Sequence, residues 1–146
     1  MITINRTELA RNTRQVIEQA RKGQPVVVES YGEEQVAILD AVDFRLLQAY
    51  TRYRGGHEPN AAAEHEGLTH TELQQLVEQA GGDSQIWWDR VVAAHQDNAI
   101  SLGRAAELLN TNRYELTGRY NRLGIPLQLG PRTVEEAGRE VEALRR

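Results

Sequence analysis

The sequence predicts an α+β fold, a small N-terminal β-α-β-β-α dimerisation module over residues 1–54 followed by an all-helical C-terminal domain with a helix-turn-helix. Three observations predict it. Residues Gln24 to Asp40, QPVVVESYGEEQVAILD, form the one stretch that clearly asks for β-structure. From Leu68 onward the capped apolar runs have helical spacing instead. Between the two, residues 55–67 contain Gly-Gly, Pro-Asn and three alanines with no apolar periodicity, and read as a linker.

The N-terminal elements follow in order. Ile2 to Ile4 is a short β-prone segment. Asn5 with Glu8 three residues later makes a helix start of the capping-box type. The helix that follows turns Leu9, Thr13, Val16, Ile17 and Ala20 to one side, fills the other with Arg11, Arg14, Glu18, Arg21 and Lys22, and stops at Gly23. Two apolar runs, Pro25 to Val28 and Gln35 to Leu39, then flank a turn at Tyr31-Gly32-Glu33-Glu34, where Gly32 supplies a positive φ at no steric cost. Both runs are nearly continuous rather than alternating, so both faces of this hairpin should be covered, by the rest of the chain or by a second copy. Asp40 caps a second helix through about Arg54, with Phe44, Leu47 and Tyr50 inward.

The second half restarts with Thr69 as cap and Glu72 three residues on, while Leu68 staples onto Leu73. Leu73, Leu76, Val77 and Ala80 face inward, and Gly81-Gly82 ends the helix. A helix from Asp83 or Ser84 to about Asp97 carries Trp87, Trp88, Val91, Val92 and His95; the tryptophans suit an interaction patch or the core, and His95 suits packing. Ser101 caps a helix with Leu102, Ala105, Leu108 and Leu109, Asn110-Thr111 make a turn, and a helix to Leu123 places Leu116, Tyr120 and Leu123 inward before Gly124. Small Ala105-Ala106 permits the close approach a helix-turn-helix over 101–124 needs. A terminal helix begins at Thr133, with Val134, Ala137, Val141 and Leu144 on one narrow stripe that Gly138 weakens.

Composition narrows the class. The 146 residues include no cysteine, so disulfides and thiolate metal sites are excluded. There is no apolar leader and no run of 18 apolar residues, which predicts a cytoplasmic protein without a membrane span. The net charge of −4 is uneven. Residues 1–56 carry eight Lys/Arg against seven Asp/Glu, residues 57–100 one against eight, and residues 101–146 eight against six. The ends can meet phosphates, and the middle suits a basic protein partner. His57, His65 and His70 with nearby glutamates lack a rigid metal-ligand pair, and no nucleophile–base set or phosphate loop is present, so no metal, no cofactor and no enzymatic activity are expected.

The stretch TELARNTRQVIEQARKGQPVVVESYGEEQVAILDAVDFRLL is similar to the N-terminal module of the Phd/YefM antitoxin family. The resemblance rests on the ordered set Asn12, Gly23, Pro25, Val26, Val27, Gly32, Val36, Ala37, Ile38, Leu39, Phe44 and Leu47, and covers about a third of the chain. It implies a homodimer joined through the sheet, with paired N-terminal segments on operator DNA. Candidate contacts there are Asn5, Arg6, Arg11, Asn12 and Arg14. Independently, fifty residues without disulfide or metal rarely supply a sufficient core, which also favours association. The plainer reading of Arg14, Glu18 and Lys22 is a solvated face of i,i+4 pairs.

The string AAELL, NR, L, LG over residues 105–124 resembles a Fis-type helix-turn-helix. As a recognition helix it would present Asn112, Arg113, Tyr114 and Thr117, with Arg119 toward phosphates. A helical hairpin for packing or partner binding is the alternative. Antitoxins of the resembling family neutralise toxins with segments downstream of the DNA-binding module. The apolar candidates here are Leu73, Leu76, Trp87, Trp88, Val134, Val141 and Leu144. The resemblance thus implies a type II antitoxin that sequesters a cognate toxin, by analogy a PIN-type ribonuclease, and represses its own operon. The alternative is a dedicated transcriptional regulator without a toxin.

Overall fold

The computed structural model describes residues 1–56 and 68–128. The described chain runs β1 (Ile2–Asn5), α1 (Arg6–Arg11), α2 (Thr13–Arg21), β2 (Val26–Ser30), β3 (Glu33–Ile38), α3 (Ala41–Arg54), α4 (His70–Gln79), α5 (Gln85–Gln96), α6 (Leu102–Leu108) and α7 (Arg113–Leu123). The protein therefore mixes helices with one small sheet. Residues 57–67, expected as linker, and the expected terminal helix with Val134, Val141 and Leu144 lie outside the described residues.

The sheet has the order β1-β2-β3, with β1 parallel to β2 and β2 antiparallel to β3. The hairpin turns on two residues, Tyr31 at φ 54° and Gly32 at φ 79°. Two successive positive φ values are the I′ geometry whose twist matches that of the flanking strands. Glu33 and Glu34, expected in the turn, already belong to β3. The register jumps between Val28 and Glu29, whose partners are Val36 and Glu34, so Gln35 is an extra residue on β3.

Coverage of the hairpin is one-sided. In β2, Val26, Val27 and Val28 are buried, with α1 and α2 packed against the sheet. In β3, residues 33–37 are exposed, Val36 to 56%. Among the described residues the expectation that both strands are covered thus holds for β2 only. Strand β3 is an open edge among the described residues.

The first helix also differs from expectation. It breaks at Asn12 (φ −123°, ψ 33°) into α1 and α2. Thr13 Oγ1 donates back to the Leu9 carbonyl at 2.7 Å, the side-chain competition that bends helices. Val16 and Ala20 are buried against the sheet, whereas Ile17 is 49% exposed.

In α3 the buried stripe is offset from the expected one. Asp43, Leu46 and Ala49 are buried, Phe44 and Leu47 are exposed, and Tyr50 is half-buried. The helix has apolar residues on two faces, and α5 packs on the Leu46–Ala49 face. Leu46 and Ala49 join Leu73, Val91, Val92, Ala105, Leu116 and Tyr120 in one buried cluster. The helix read from sequence as the end of the N-terminal module thus shares its core with the helical region. A polar seam follows the same contact: Arg45 Nη1 donates to Gln85 Oε1 at 3.0 Å, Gln85 Nε2 donates to the Arg45 carbonyl at 3.0 Å, and Arg52 pairs with Asp89 at 2.6 Å.

Beyond Leu68, Thr69 and Ser101 cap their helices as the sequence predicts, and Asn112, expected as a DNA contact, caps α7. Thr69 Oγ1 accepts from Glu72 N and Glu72 Oε2 accepts from Thr69 N, completing the capping box of α4. Ser101 Oγ accepts from Arg104 N at α6, and Asn112 Oδ1 accepts from Glu115 N at α7. Asn110 takes a positive φ of 57° in the turn between α6 and α7.

Candidate nucleic-acid interface and partner groove

The basic residues of the N-terminal end are not equivalent. Asn5 Oδ1 accepts from Glu8 N at 2.8 Å, so this side chain serves as the cap of α1. Arg6 Nη2 donates to Gln35 Oε1, the extra residue of β3, at 2.7 Å. Asn12 is exposed at the break between α1 and α2. Arg11 and Arg14 point outward. Arg14 reaches Glu18 only at 3.7 Å with its side chain 95% exposed, a pair that contributes little and leaves the guanidinium open to solvent. Arg11, Asn12 and Arg14 thus sit close together along one break in the helix.

At the other end, α7 divides its polar residues between two directions. Arg113 and Tyr114 are exposed, Tyr114 to 91%. Asn112 is engaged as the cap, and Thr117 is half-buried. Thr111 Oγ1 donates to Glu115 Oε2 at 2.8 Å; that bond and Arg119 hold the Glu115 carboxyl below its ordinary pKa.

Arg119 does not face solvent phosphates. Its Nη1 donates to Asp40 Oδ1 at 2.6 Å and to Asp43 Oδ1 at 2.7 Å, and its Nη2 to Glu115 Oε1 at 3.1 Å. One turn on, Arg122 meets Asp43 with two nitrogens, Nη2 to Oδ2 at 2.8 Å and Nε to Oδ2 at 3.2 Å. Asp40 caps α3 and Asp43 lies in its first turn, where the helix dipole already favours carboxylates. Burial pushes Asp40 upward, but the Asp43 and Val42 backbone N–H groups and Arg119 outweigh it, and its pKa lies below the ordinary value. For Arg119, burial opposes the charge, yet the three carboxylates raise its pKa above the ordinary value. This cluster corrects the sequence assignment of Arg119 to DNA. Its side chain is 14% exposed and already neutralised.

Gly23 is part of the same junction. It has φ +92°, and a Cβ there would lie 2.5 Å from the Arg122 guanidinium. The turn from α2 to β2 therefore passes directly against α7. The sequence marks Gly23 as a helix stop and gives no sign of this contact. The i,i+3 spacing of Asp40/Asp43 and of Arg119/Arg122 was the available signal, but spacing alone does not say which helices meet.

The candidate partner-binding residues separate in a similar way. Leu73 is fully buried in the core, so it is not a surface contact. Leu76, Trp87 and Trp88 are half-buried. Both tryptophans line a groove of about 550 Å³ between α4, α5 and α6, together with Val77, Glu78, Leu108 and Leu109. Trp87 is fixed there by its Nε1, which donates to the Leu108 carbonyl at 2.9 Å, and by the His70 ring at 5.5 Å. A mostly apolar groove with anchored indoles suits a side-chain stripe of a helix.

Among the described residues no group of three or more His, Cys, Asp or Glu is arranged to hold a metal ion. None of the described helices is long and apolar enough to cross a membrane. Comparison with protein-family models, with curated proteins and with solved structures finds no match for this chain.

Proposed function

We propose that the protein is the antitoxin of a type II toxin–antitoxin pair, a homodimer that binds operator DNA through its N-terminal module and a toxin through its helical region. The observation that carries this reading is the pairing of two surfaces on one module. Among the described residues strand β3 is an edge of the sheet with Val36 exposed, α3 leaves Phe44 and Leu47 exposed, and the same module turns Arg11 and Arg14 to solvent. An exposed apolar face beside free strand edge groups favours association with a second copy. Two-fold association doubles the Arg11–Arg14 surface and matches it to a palindromic site. The acidic surplus of residues 57–100 favours a basic toxin.

The test is binding to the DNA upstream of the protein's own gene, with molar mass measured by light scattering. Val36→Asp with Phe44→Asp should give a monomer that has lost operator binding. A dimer that persists in this variant contradicts the use of the β3 face.

A second reading, a dedicated transcriptional regulator without a toxin, is favoured by the exposure of Arg113 and Tyr114 at the start of α7. It requires that Arg113→Ala relax sequence preference at one operator position, at about 1–3 kcal/mol. The antitoxin reading requires no such change.

A further inference from the structure

We propose that the nucleic-acid surface of this protein extends from Arg11 and Arg14 along the outward face of α2 to Arg21 and Lys22, and across the junction to Arg122 of α7. One strand of a DNA duplex then touches both parts of the chain. The inference rests on the DNA-binding part of the proposed function and not on the toxin.

Helical geometry sets the face. With Val16 and Ala20 buried against the sheet, Arg14, Glu18, Arg21 and Lys22 fall on the opposite side of α2, and all four are exposed. Glu18 is the one carboxylate among them, and it lies 3.7 Å from Arg14 with both side chains largely in solvent. No carboxylate of the described residues pairs with Arg11, Arg21 or Lys22. The helix dipole accommodates Arg21 and Lys22 at the C-terminal end of α2, but it does not account for a third cation there.

That cation is Arg122. Its guanidinium lies against Gly23, the residue after Lys22, where an added Cβ would meet it at 2.5 Å. Its partner Asp43 is only 7% exposed while the Arg122 side chain is 35% exposed, so the part of the pair that reaches solvent is the guanidinium. From Arg14 to Lys22 the row runs about 12 Å at 1.5 Å per residue, the axial length of three to four phosphates on one strand. Arg122 continues it past the helix end. No aromatic side chain stands on this face to anchor a protein partner, whereas spaced cations suffice for a linear polyanion.

The probe is a short fluorescein-labelled DNA duplex of mixed sequence, titrated with the full-length protein by anisotropy between about 50 and 200 mM KCl. Arg21→Gln and Lys22→Gln should each lower the log–log salt slope by about 0.9 per engaged protomer, and Lys22→Arg, which keeps the charge, should retain it. Glu18→Gln should tighten binding. Arg122→Gln also breaks the contact with Asp43, so it is read against Arg119→Gln, which opens the same cluster from its covered side. The slope should fall for the first and hold for the second, each counted on the folded fraction seen by circular dichroism. Slopes unchanged in R21Q and K22Q, while Arg11→Ala and Arg14→Ala lower theirs, would overturn the extension and leave the DNA reading standing. A wild-type protein that does not bind the duplex would overturn both. Binding to polyglutamate as tight as to the duplex would assign the face to an acidic protein and overturn the proposal as well.

Discussion

Arg119 of α7 and Asp40, the residue that caps α3, are 79 positions apart in sequence and 2.6 Å apart in space. With Asp43 and Arg122 they tie a helix of the C-terminal region to the first turn of a helix that follows the sheet. Arg119 is thereby withdrawn from the surface, whereas Arg122 keeps about 35% of its side chain exposed while it pairs with Asp43.

Asp43 is the centre of the junction, since it accepts from both Arg119 and Arg122 while only 7% of its side chain is exposed. Asp43→Asn should destabilise the fold by roughly 2–4 kcal/mol, below the full value for a buried pair because Arg122 remains partly hydrated. Urea unfolding measures this. A double-mutant cycle with Arg122→Gln should show coupling of about 1 kcal/mol or more, and simple additivity would contradict the contact.

Gly23→Ala should also destabilise, by about 1 kcal/mol or more, because the position has φ +92° and its added methyl meets the Arg122 guanidinium. In an Arg122→Ala background the steric part of the penalty should disappear and the backbone part remain. Thermal unfolding of the four proteins separates the two.

The two halves of the chain were legible in the sequence to different degrees. Caps at Asn5, Asp40, Thr69 and Ser101 are readable because a cap is a local hydrogen bond between residues two or three apart. The break at Asn12 was hidden because Thr13 back-bonding competes with an apolar pattern that continues through it. The buried face of α3 is not decided locally. Phe44 and Leu46 are both apolar, and only the position of α5 decides which of them is covered. Of the candidate sites, Arg11, Arg14, Arg113 and Tyr114 are at the surface as expected, while Leu73 and Arg119 are claimed by packing that sequence spacing does not reveal.

Acidification should act through His95. Its ring is fully buried beside Tyr120, and burial lowers its pKa below 6.5 despite the Gln128 carbonyl. Above pH 6.5 folded and unfolded forms are both neutral at this residue. As pH falls below that value the unfolded chain binds the proton and the folded one does not, so stability declines until the folded pKa is passed, by at most about 1.4 kcal/mol per pH unit. His95→Gln should flatten this part of the pH–stability curve. A curve unchanged by the substitution would show that His95 is not neutral in the fold. Asp40, with a pKa lowered by its partners, adds a separate loss of stability only below about pH 4, as the folded carboxylate is forced to protonate.

On DNA, Arg11→Ala and Arg14→Ala should each reduce the log–log salt slope of operator binding by about 0.9, the signature of one lost phosphate contact. Arg119→Ala should leave that slope unchanged in whatever folded fraction remains, and instead lower the unfolding midpoint. An equal loss of slope from all three substitutions would contradict the separation of Arg119 from the surface arginines.

The measurement that tests the proposed function most directly is growth of a host expressing the reading frame adjacent to this protein's gene, with and without the full-length protein. The account predicts growth arrest by the neighbour alone, relief on co-expression, and co-purification of the two products. A harmless neighbour, or an arrest that this protein does not relieve, would contradict it.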